Sequence, residues 1–220
     1  MRKLRIVLVD DHEVVRRGLS LLLNLEADME VVGEAASGLQ AIEQVKALKP
    51  DIVLMDLQMP GMRGAQAAQS IKQIYPETRV LIVSGVEKGE EIVHALESDV
   101  DGYVLKDAPP SELIQAIRII ARGQAYLQPA VAKQLLRRMT ATNPTSAPAL
   151  PQLTQRELEV LKLMATNRSA KEIGAKLFVG EETVRSHIKH ILQKLNQPNR
   201  TQAVLAALRL GLIDLDQLRS

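Results

Sequence analysis

Ile52-Val53-Leu54-Met55-Asp56-Leu57-Gln58-Met59-Pro60-Gly61 is the stretch around which the first half of the chain is organised. Four apolar residues in succession are the mark of a strand buried on both faces of a parallel sheet. Asp56 stands where that strand ends, and Pro60-Gly61 stops the run: proline lacks the N–H a ladder needs, and glycine accepts turn dihedrals. Ligands of open α/β sheets gather outside the carboxyl ends of the strands, so Asp56 sits where chemistry is expected. Taken alone, an aspartate at a strand exit is as readily a local turn residue. The other strand ends decide between the two.

Working outward, Leu4-Arg5-Ile6-Val7-Leu8-Val9 predicts a first strand ending in Asp10-Asp11. Glu13–Leu25 predicts a helix with Val14, Leu19, Leu22, Leu23 and Leu25 on its buried side. Val31–Ala36 is a second strand, after which Leu39, Ile42, Val45 and Leu48 fall at helical intervals. Beyond the Ile52–Met55 strand the pattern predicts a helix over Ala65–Tyr75, a strand over Arg79–Val83 and a helix over Glu90–Leu96. A strand over Gly102–Leu105 and a helix over Ser111–Ala121 complete it. Strands alternating with helices in this way predict an α/β fold, a (βα)5 doubly wound flavodoxin-like domain with right-handed crossovers.

In the flavodoxin-like strand order 2-1-3-4-5, strands one and three are neighbours, so Asp10, Asp11 and Asp56 share one crevice, with Ser84 and Lys106 at the next strand exits. Carboxylates gathered within a few ångströms repel unless a cation lies among them. Oxygen donors imply a hard divalent ion, Mg2+ first among them, held by Asp11, Asp56 and the Gln58 backbone carbonyl, with Asp10 holding waters. Lys106 adds positive charge on the other side. Such a site suits a phosphoryl group: an Asp56 oxygen attacks phosphorus, the cations offset charge on its oxygens, and the Ser84 hydroxyl donates to one of them. Singly, Asp10-Asp11 would serve as a helix cap, Lys106 as a surface lysine and Ser84 as a turn residue. Their joint placement at strand exits favours the shared site.

Asp10-Asp11, Met55-Asp56-Leu57-Gln58-Met59-Pro60-Gly61-Met62, Ser84 and Gly102-Tyr103-Val104-Leu105-Lys106 resemble the receiver domain of bacterial two-component response regulators over residues 4–122. The resemblance implies that Asp56 accepts a phosphoryl group from a sensor histidine kinase and that Asp10 and Asp11 organise Mg2+. It further implies that Lys106 contacts a phosphoryl oxygen and that Ser84 and Tyr103 form a conformational switch. Gly64-Ala65-Gln66 departs from the family pattern, past the acidic pocket.

Composition sets the outer bounds. At 220 residues the chain is long enough for two ordinary domains, and without cysteine it has neither disulfides nor thiolate chemistry. His12, His94, His187 and His190 are too scattered to propose a metal cluster. No apolar run approaches about 18 residues and nothing resembles a signal peptide, so a soluble cytoplasmic protein without membrane contact is expected. The net charge of +2 hides an asymmetry: residues 1–125 carry 14 Lys and Arg against 19 Asp and Glu, and residues 126–220 carry 14 against 7. An acidic first part and a basic second part suggest that the second meets nucleic acid. Met139–Pro151 is small, polar and proline-broken, a flexible linker. Before it, Val131, Leu135, Leu136 and Met139 predict a short helix after Pro129. The expected divisions are therefore 1–124, 125–151 and 152–220.

In the basic part, Thr154 and Glu157 form a capping box that starts a helix with Leu158, Leu161, Leu163 and Met164 as its apolar positions. Asn167 interrupts it. Ser169 begins a second helix with Ile173 and Leu177 inward, Phe178-Val179-Gly180 makes a tight turn, and Glu181–Leu195 forms a longer helix with Val184, Ile188, Ile191, Leu192 and Leu195 inward. This is a helix-turn-helix candidate. Arg185, Lys189 and His190 lie on the outer side of the longer helix, with Thr183 and Ser186 near its start, as a recognition helix requires. A solvated charged helix would look the same, and Glu181 and Glu182, which phosphate would repel, lean towards that reading.

Leu153-Thr154, Arg156-Glu157, Glu159-Val160-Leu161, Lys171-Glu172-Ile173, Thr183-Val184-Arg185-Ser186-His187, Lys194-Leu195 and Arg200 resemble the LuxR/NarL-type DNA-binding domain over residues 152–215. The resemblance implies that Arg185 and Lys189 read the groove, that Lys171, Thr183 and Arg200 contact phosphate or support the helix, and that the helix over Thr201–Leu210 pairs across a dimer. Asn167, Ala170, Gly174 and Gly180 depart from the family's glycine, asparagine, alanine and serine; a glycine inside a helix costs about 1 kcal/mol. Together the two resemblances indicate a NarL/FixJ-type response regulator: a phosphorylation-gated transcription factor rather than an enzyme, with slow self-dephosphorylation at most. Its implied partners are duplex DNA, a sensor histidine kinase, RNA polymerase and a second copy of the chain. The competing readings are a DNA-binding regulator gated by a protein partner or dimer packing, and a small phosphatase, which leaves the basic part unexplained.

Overall fold

A computed structural model describes residues 2–85, 91–92, 95–96, 98–132, 153–166 and 168–213. The chain divides into two compact units, Met1–Ala121 and Arg122–Ser220. The first is built on β1 (Leu4–Val9), β2 (Met29–Ala35), β3 (Ile52–Met55), β4 (Arg79–Ser84) and β5 (Gly102–Leu105). They run in the order β2-β1-β3-β4-β5 with every neighbouring pair parallel. Helices α1 (Glu13–Asn24), α2 (Gly38–Leu48), α3 (Gly64–Ile74) and α4 (Pro110–Ala121) alternate with the strands. This is the expected doubly wound sheet. Of the helix expected over 90–96, residues 91, 92, 95 and 96 are helical and the others lie outside the described residues.

The central strand explains the topology. All four residues of β3 are buried, because β1 and β4 pair with its two edges and the layout covers both its faces. Each such aliphatic burial contributes about 1.5–3 kcal/mol, so this segment has no alternative surface position of comparable free energy. α4 begins with Pro110, whose missing N–H is one of the unpaired helix-start donors in any case.

The apolar face of α1 differs from the one expected. Val14 and Leu25 are 84% and 83% exposed, Leu21 is 73% exposed, and Leu23 is the residue of the helix that is fully buried. Residues 14, 21 and 25 recur at spacings of seven and four, a second apolar stripe roughly opposite Leu23. Periodicity detects both stripes and cannot say which one meets the sheet. Leu39 is likewise 62% exposed, and Ala41 and Val45 carry the burial of α2.

In the second unit a two-residue strand, β6 (Tyr126–Leu127), precedes helical residues 129–132; the rest of the expected linker helix, including Leu135, Leu136 and Met139, lies outside the described residues. Four helices follow: α5 (Gln155–Ala165), α6 (Ala170–Leu177), α7 (Glu181–Lys194) and α8 (Arg200–Arg209). Val160, Leu161, Met164, Ile173, Val184, Ile191, Ala203 and Ala207 form their common core. The Thr154–Glu157 capping box is present, and Ser169 and Glu172 make a second one at the start of α6. Gly174 follows from the turn: an alanine Cβ would lie 2.7 Å from the Val179 carbonyl oxygen, whose own N–H donates to Gly174 O. The glycine therefore admits a tighter turn than alanine, which sets its helix cost in context. Asn167 lies outside the described residues. Among the described residues no helix is long and apolar enough to cross a membrane.

Candidate functional site

Parallel register brings the strand-end residues together. Val9 is opposite Met55 and the Asp56 N–H donates to Val9 O at 2.8 Å, so Asp10 and Asp56 leave the sheet side by side. Ser84 is opposite Leu105, and the Lys106 N–H donates to Ser84 O at 2.9 Å, placing the lysine at the same edge. Asp10 and Asp56 are buried, at 3% and 4% exposure. Lys106 Nζ lies 2.8 Å from Asp56 Oδ2 and 2.6 Å from Asp10 Oδ2, a single ammonium shared by two carboxylates. Burial opposes the lysine charge, but these two partners outweigh it and hold the ammonium above its usual pKa.

Ligand atoms of Asp10, Asp11, His12 and Asp56 all lie within 4.8 Å of one another. Asp11 Oδ1 is buried, with His12 Nδ1 2.8 Å away. A buried carboxylate oxygen beside a histidine nitrogen and within reach of two further carboxylates is a donor set for a divalent cation. The residues present therefore fit a hard divalent ion. His12 was missed in the sequence, where four scattered histidines gave no cluster; its position directly after Asp10-Asp11 was the available signal. Its backbone N–H donates to Asp10 Oδ1 at 2.9 Å, and the Arg16 guanidinium donates to Asp10 O at 2.7 Å, so both ends of Asp10 are held from α1.

Gln58 is exposed; its N–H lies 3.4 Å from Asp56 Oδ1, and its side-chain amide reaches Glu91 at 3.5 Å. An open cleft lined by Asp11, His12, Gln58, Met59, Arg63 and Glu91 leads to this edge. Gly64 donates its N–H to Leu57 O at 3.1 Å, and a Cβ there would collide with the Asp56 carbonyl oxygen. Gly64 thus lets α3 start against the backbone of Asp56. The sequence showed it only as part of a departure from the family pattern.

Ser84 and Tyr103 are both fully buried and share a hydrogen bond. Burial pushes the Tyr103 phenol up to about 12, with the Ser84 bond working the other way and Asp56 and Glu91 adding to the rise. Tyr103 therefore occupies an inward position.

In the second unit Thr183, Arg185, Ser186, Lys189 and His190 of α7 are exposed, as is Lys171 of α6. Val184 and Ile191 are buried behind them. Arg185 Nη2 is 2.6 Å from Glu181 Oε1 and its Nε 3.2 Å from the same oxygen, with Glu182 at 3.7 Å. Of the two roles expected of Arg200, phosphate contact or support of the helix, its contacts are of the second kind. Its Nη2 donates to Met164 O at 3.1 Å and Arg168 O at 2.7 Å, and its Nε is buried without a partner. Burial lowers its pKa to about 10, against a smaller opposing effect of Glu172. A guanidinium turned onto backbone carbonyls ties the end of α5 to α8 instead of reaching phosphate. In α8, Thr201 and Ala203 to Leu208 are buried within the chain.

Residues 6–118 match the response regulator receiver domain family, and residues 151–207 match the bacterial regulatory proteins of the luxR family. The oxygen regulatory protein NreC of Staphylococcus carnosus is 40% identical over 96% of this chain and 100% of its own length. The response regulator protein VraR of Staphylococcus aureus is 39% identical over 96% of this chain and 99% of its own. Among solved structures, the response regulator ChrA of a heme-sensing two-component system is 35% identical, with a TM-score of 0.55 over 97% of this chain and 100% of that one. A structure of two RcsB dimers bound to two parallel DNAs is 25% identical, with a TM-score of 0.58 over 95% and 99%. Strand-end carboxylates under a bridging lysine and a helix-turn-helix with a basic outer face thus coincide with two matched families in the same order, and the chain belongs to the two-domain response regulators, a receiver followed by a LuxR-type helix-turn-helix.

Proposed function

We propose that Asp56 is the phosphoacceptor of a DNA-binding response regulator and that its phosphorylation by a sensor histidine kinase controls dimerisation and sequence-specific transcription. The observation that carries this is the Lys106 bridge between Asp56 and Asp10 at the edge of the sheet. An Asp56 carboxylate oxygen attacks the phosphorus of a phosphohistidine, the P–N bond breaks, and the ring, already protonated on its other nitrogen, leaves as neutral imidazole. Lys106, freed from the carboxylates, pairs with a phosphoryl oxygen, and Ser84 donates to another. Asp11, Asp56 and the Gln58 carbonyl would hold Mg2+, with Asp10 steadying its waters; when bound, the ion offsets charge on the transferring oxygens. α1 starts beside this pocket and exposes Val14, Leu21 and Leu25, an apolar surface suited to a partner helix. Residues 1–124 would form the receiver, 125–151 the connection and 152–220 the DNA-binding domain. Within the last, Arg185 and Lys189 are the groove-reading residues, supported by Thr183 and Lys171.

A second reading is gating by a partner or by dimer packing independently of phosphorylation, which the exposed Val14, Leu21 and Leu25 of α1 favour as an apolar surface for another chain. One experiment separates the two. The full chain and Asp56→Ala are incubated with a small phosphodonor and Mg2+, followed by intact mass and oligomeric state. The phosphorylation reading expects one added phosphoryl group and a shift to dimer in the wild type alone. Dimers in both proteins without added mass favour packing.

A further inference from the structure

Arg185, Glu181 and Glu182 form a charge arrangement that groove reading by Arg185 does not itself require. Arg185 meets Glu181 Oε1 through Nε at 3.2 Å and Nη2 at 2.6 Å, so the side edge of the guanidinium is occupied. The end edge, Nη1 and the second N–H of Nη2, remains. That edge carries the two parallel donors matching O6 and N7 of guanine. The pair is exposed, and an exposed i,i+4 pair contributes little stability. Its consequence is orientation: a long side chain with many rotamers is held against its own helix, one edge forward.

We propose that Glu181 is the specificity-determining positioning residue of α7: it presents Arg185 to a guanine edge and disfavours the use of that arginine on phosphate. This rests on the reading of Arg185 as a groove-reading residue. In a non-specific complex the guanidinium turns to a phosphate, and Glu181 is then left unpaired beside the DNA backbone. In the specific complex Arg185 keeps Glu181 neutralised while it contacts the base. The carboxylate therefore weakens non-specific binding more than specific binding.

The test uses the full chain treated with a small phosphodonor and Mg2+, a pool of randomised duplexes, and sequencing of the bound fraction at several salt concentrations. Glu181→Gln keeps size and an acceptor but removes the charge. It should raise affinity for the unselected pool, steepen the salt slope by roughly one, and cut discrimination at one guanine position about tenfold. Glu182→Gln removes the same charge from a residue 3.7 Å off and should leave discrimination unchanged. In an Arg185→Ala background the Glu181→Gln effect on discrimination should vanish. Equal effects of the two glutamine variants, or an undiminished Glu181 effect without Arg185, overturns the proposal while leaving groove reading intact. An Arg185→Ala protein with unchanged base preference overturns the reading of Arg185 and this inference with it.

Discussion

Lys106 Nζ donates to Asp56 Oδ2 at 2.8 Å across a sequence separation of fifty residues, while lying 2.6 Å from Asp10. In this arrangement the lysine performs the charge neutralisation that a divalent cation would otherwise supply. Lys106→Met should therefore destabilise the metal-free protein by about 1–3 kcal/mol, discounted for a lysine that keeps part of its side chain in water. Mg2+ should restore more stability to the variant than to the wild type, as read by urea denaturation. The lysine pKa is raised, so its contribution is full below the ordinary value of 10.5 and is lost only as pH rises through the higher folded value. The comparison at neutral pH is accordingly free of lysine titration. Equal Mg2+ stabilisation of both proteins would contradict the shared role.

Gly64→Ala tests the backbone behind the acceptor. A Cβ there runs into the Asp56 carbonyl oxygen, a backbone atom that cannot rotate aside. The variant should lose about 2 kcal/mol or more and transfer phosphate to Asp56 more slowly, even though it changes no charged group. Single-turnover phosphorylation with a small phosphodonor measures the rate. A wild-type rate would show that α3 can shift without moving the acceptor.

Tyr103 should ionise near 12 when phenolate absorbance is followed against pH, its step identified by its loss in Tyr103→Phe. Its neutral form is favoured by folding, so stability should fall as pH rises from about 10 towards 12 and the unfolded chain ionises first. Ser84→Ala removes the bond that lowers this pKa and should move the transition higher still. The absence of a step near 12 would mean that Tyr103 spends its time outside the pocket.

How much of this was legible in the sequence follows from what each signal encodes. The β3 run and its neighbours specified a parallel sheet because four consecutive apolar residues need cover on both faces, and the sheet order then placed Asp10, Asp56 and Lys106 together. Side-chain direction was harder. Two apolar stripes on α1 have the same period, and contacts with the sheet choose Leu23 over Val14 and Leu25. For Arg200 the sequence left phosphate contact and helix support open, because a basic residue at a helix start carries no mark of burial. The carbonyls of Met164 and Arg168 that claim it come from 36 and 32 residues earlier. His12 was discounted among scattered histidines, yet chain proximity to Asp10 and Asp11 sufficed to place it at the site.

Glu157 joins two groups: it accepts from the Thr154 N–H at 2.7 Å as part of the capping box and from Lys194 Nζ at 2.7 Å. Burial opposes its charge, but Lys194 and Thr154 prevail and lower its pKa below the ordinary 4.5. A depressed carboxylate contributes stability above the unfolded value and loses it as pH falls through the folded one. The all-α unit should therefore weaken below about pH 4.5 in the wild type. Glu157→Gln should cost about 2 kcal/mol at pH 7 and flatten that acid limb, as seen in circular-dichroism melts. An unchanged acid limb would mean that Lys194 does not hold the carboxylate in solution.

Arg185, Lys189 and Arg200 are three basic residues of one small domain that should give different phenotypes. Arg185 and Lys189 are exposed on the side of α7 opposite Val184 and Ile191, so replacing either with alanine should leave the melting temperature within about 2 °C. If Arg185 or Lys189 contacts a base edge, its loss should relax preference at one position by about 1–3 kcal/mol; a phosphate contact should instead weaken all duplexes alike and reduce the salt slope by roughly one. Arg200→Ala should behave in the opposite way. It strips the Met164 and Arg168 carbonyls of a charged donor and opens a gap between α5 and α8, a loss of about 2 kcal/mol. Its salt slope at a temperature where the domain is folded should match the wild type, since its guanidinium is committed to carbonyls. Titrations of the three variants against selected and scrambled duplexes at several salt concentrations, beside thermal melts, resolve all of these outcomes. A reduced salt slope for Arg200→Ala with unchanged stability would return that residue to the DNA surface and show that its inward pose gives way when DNA binds.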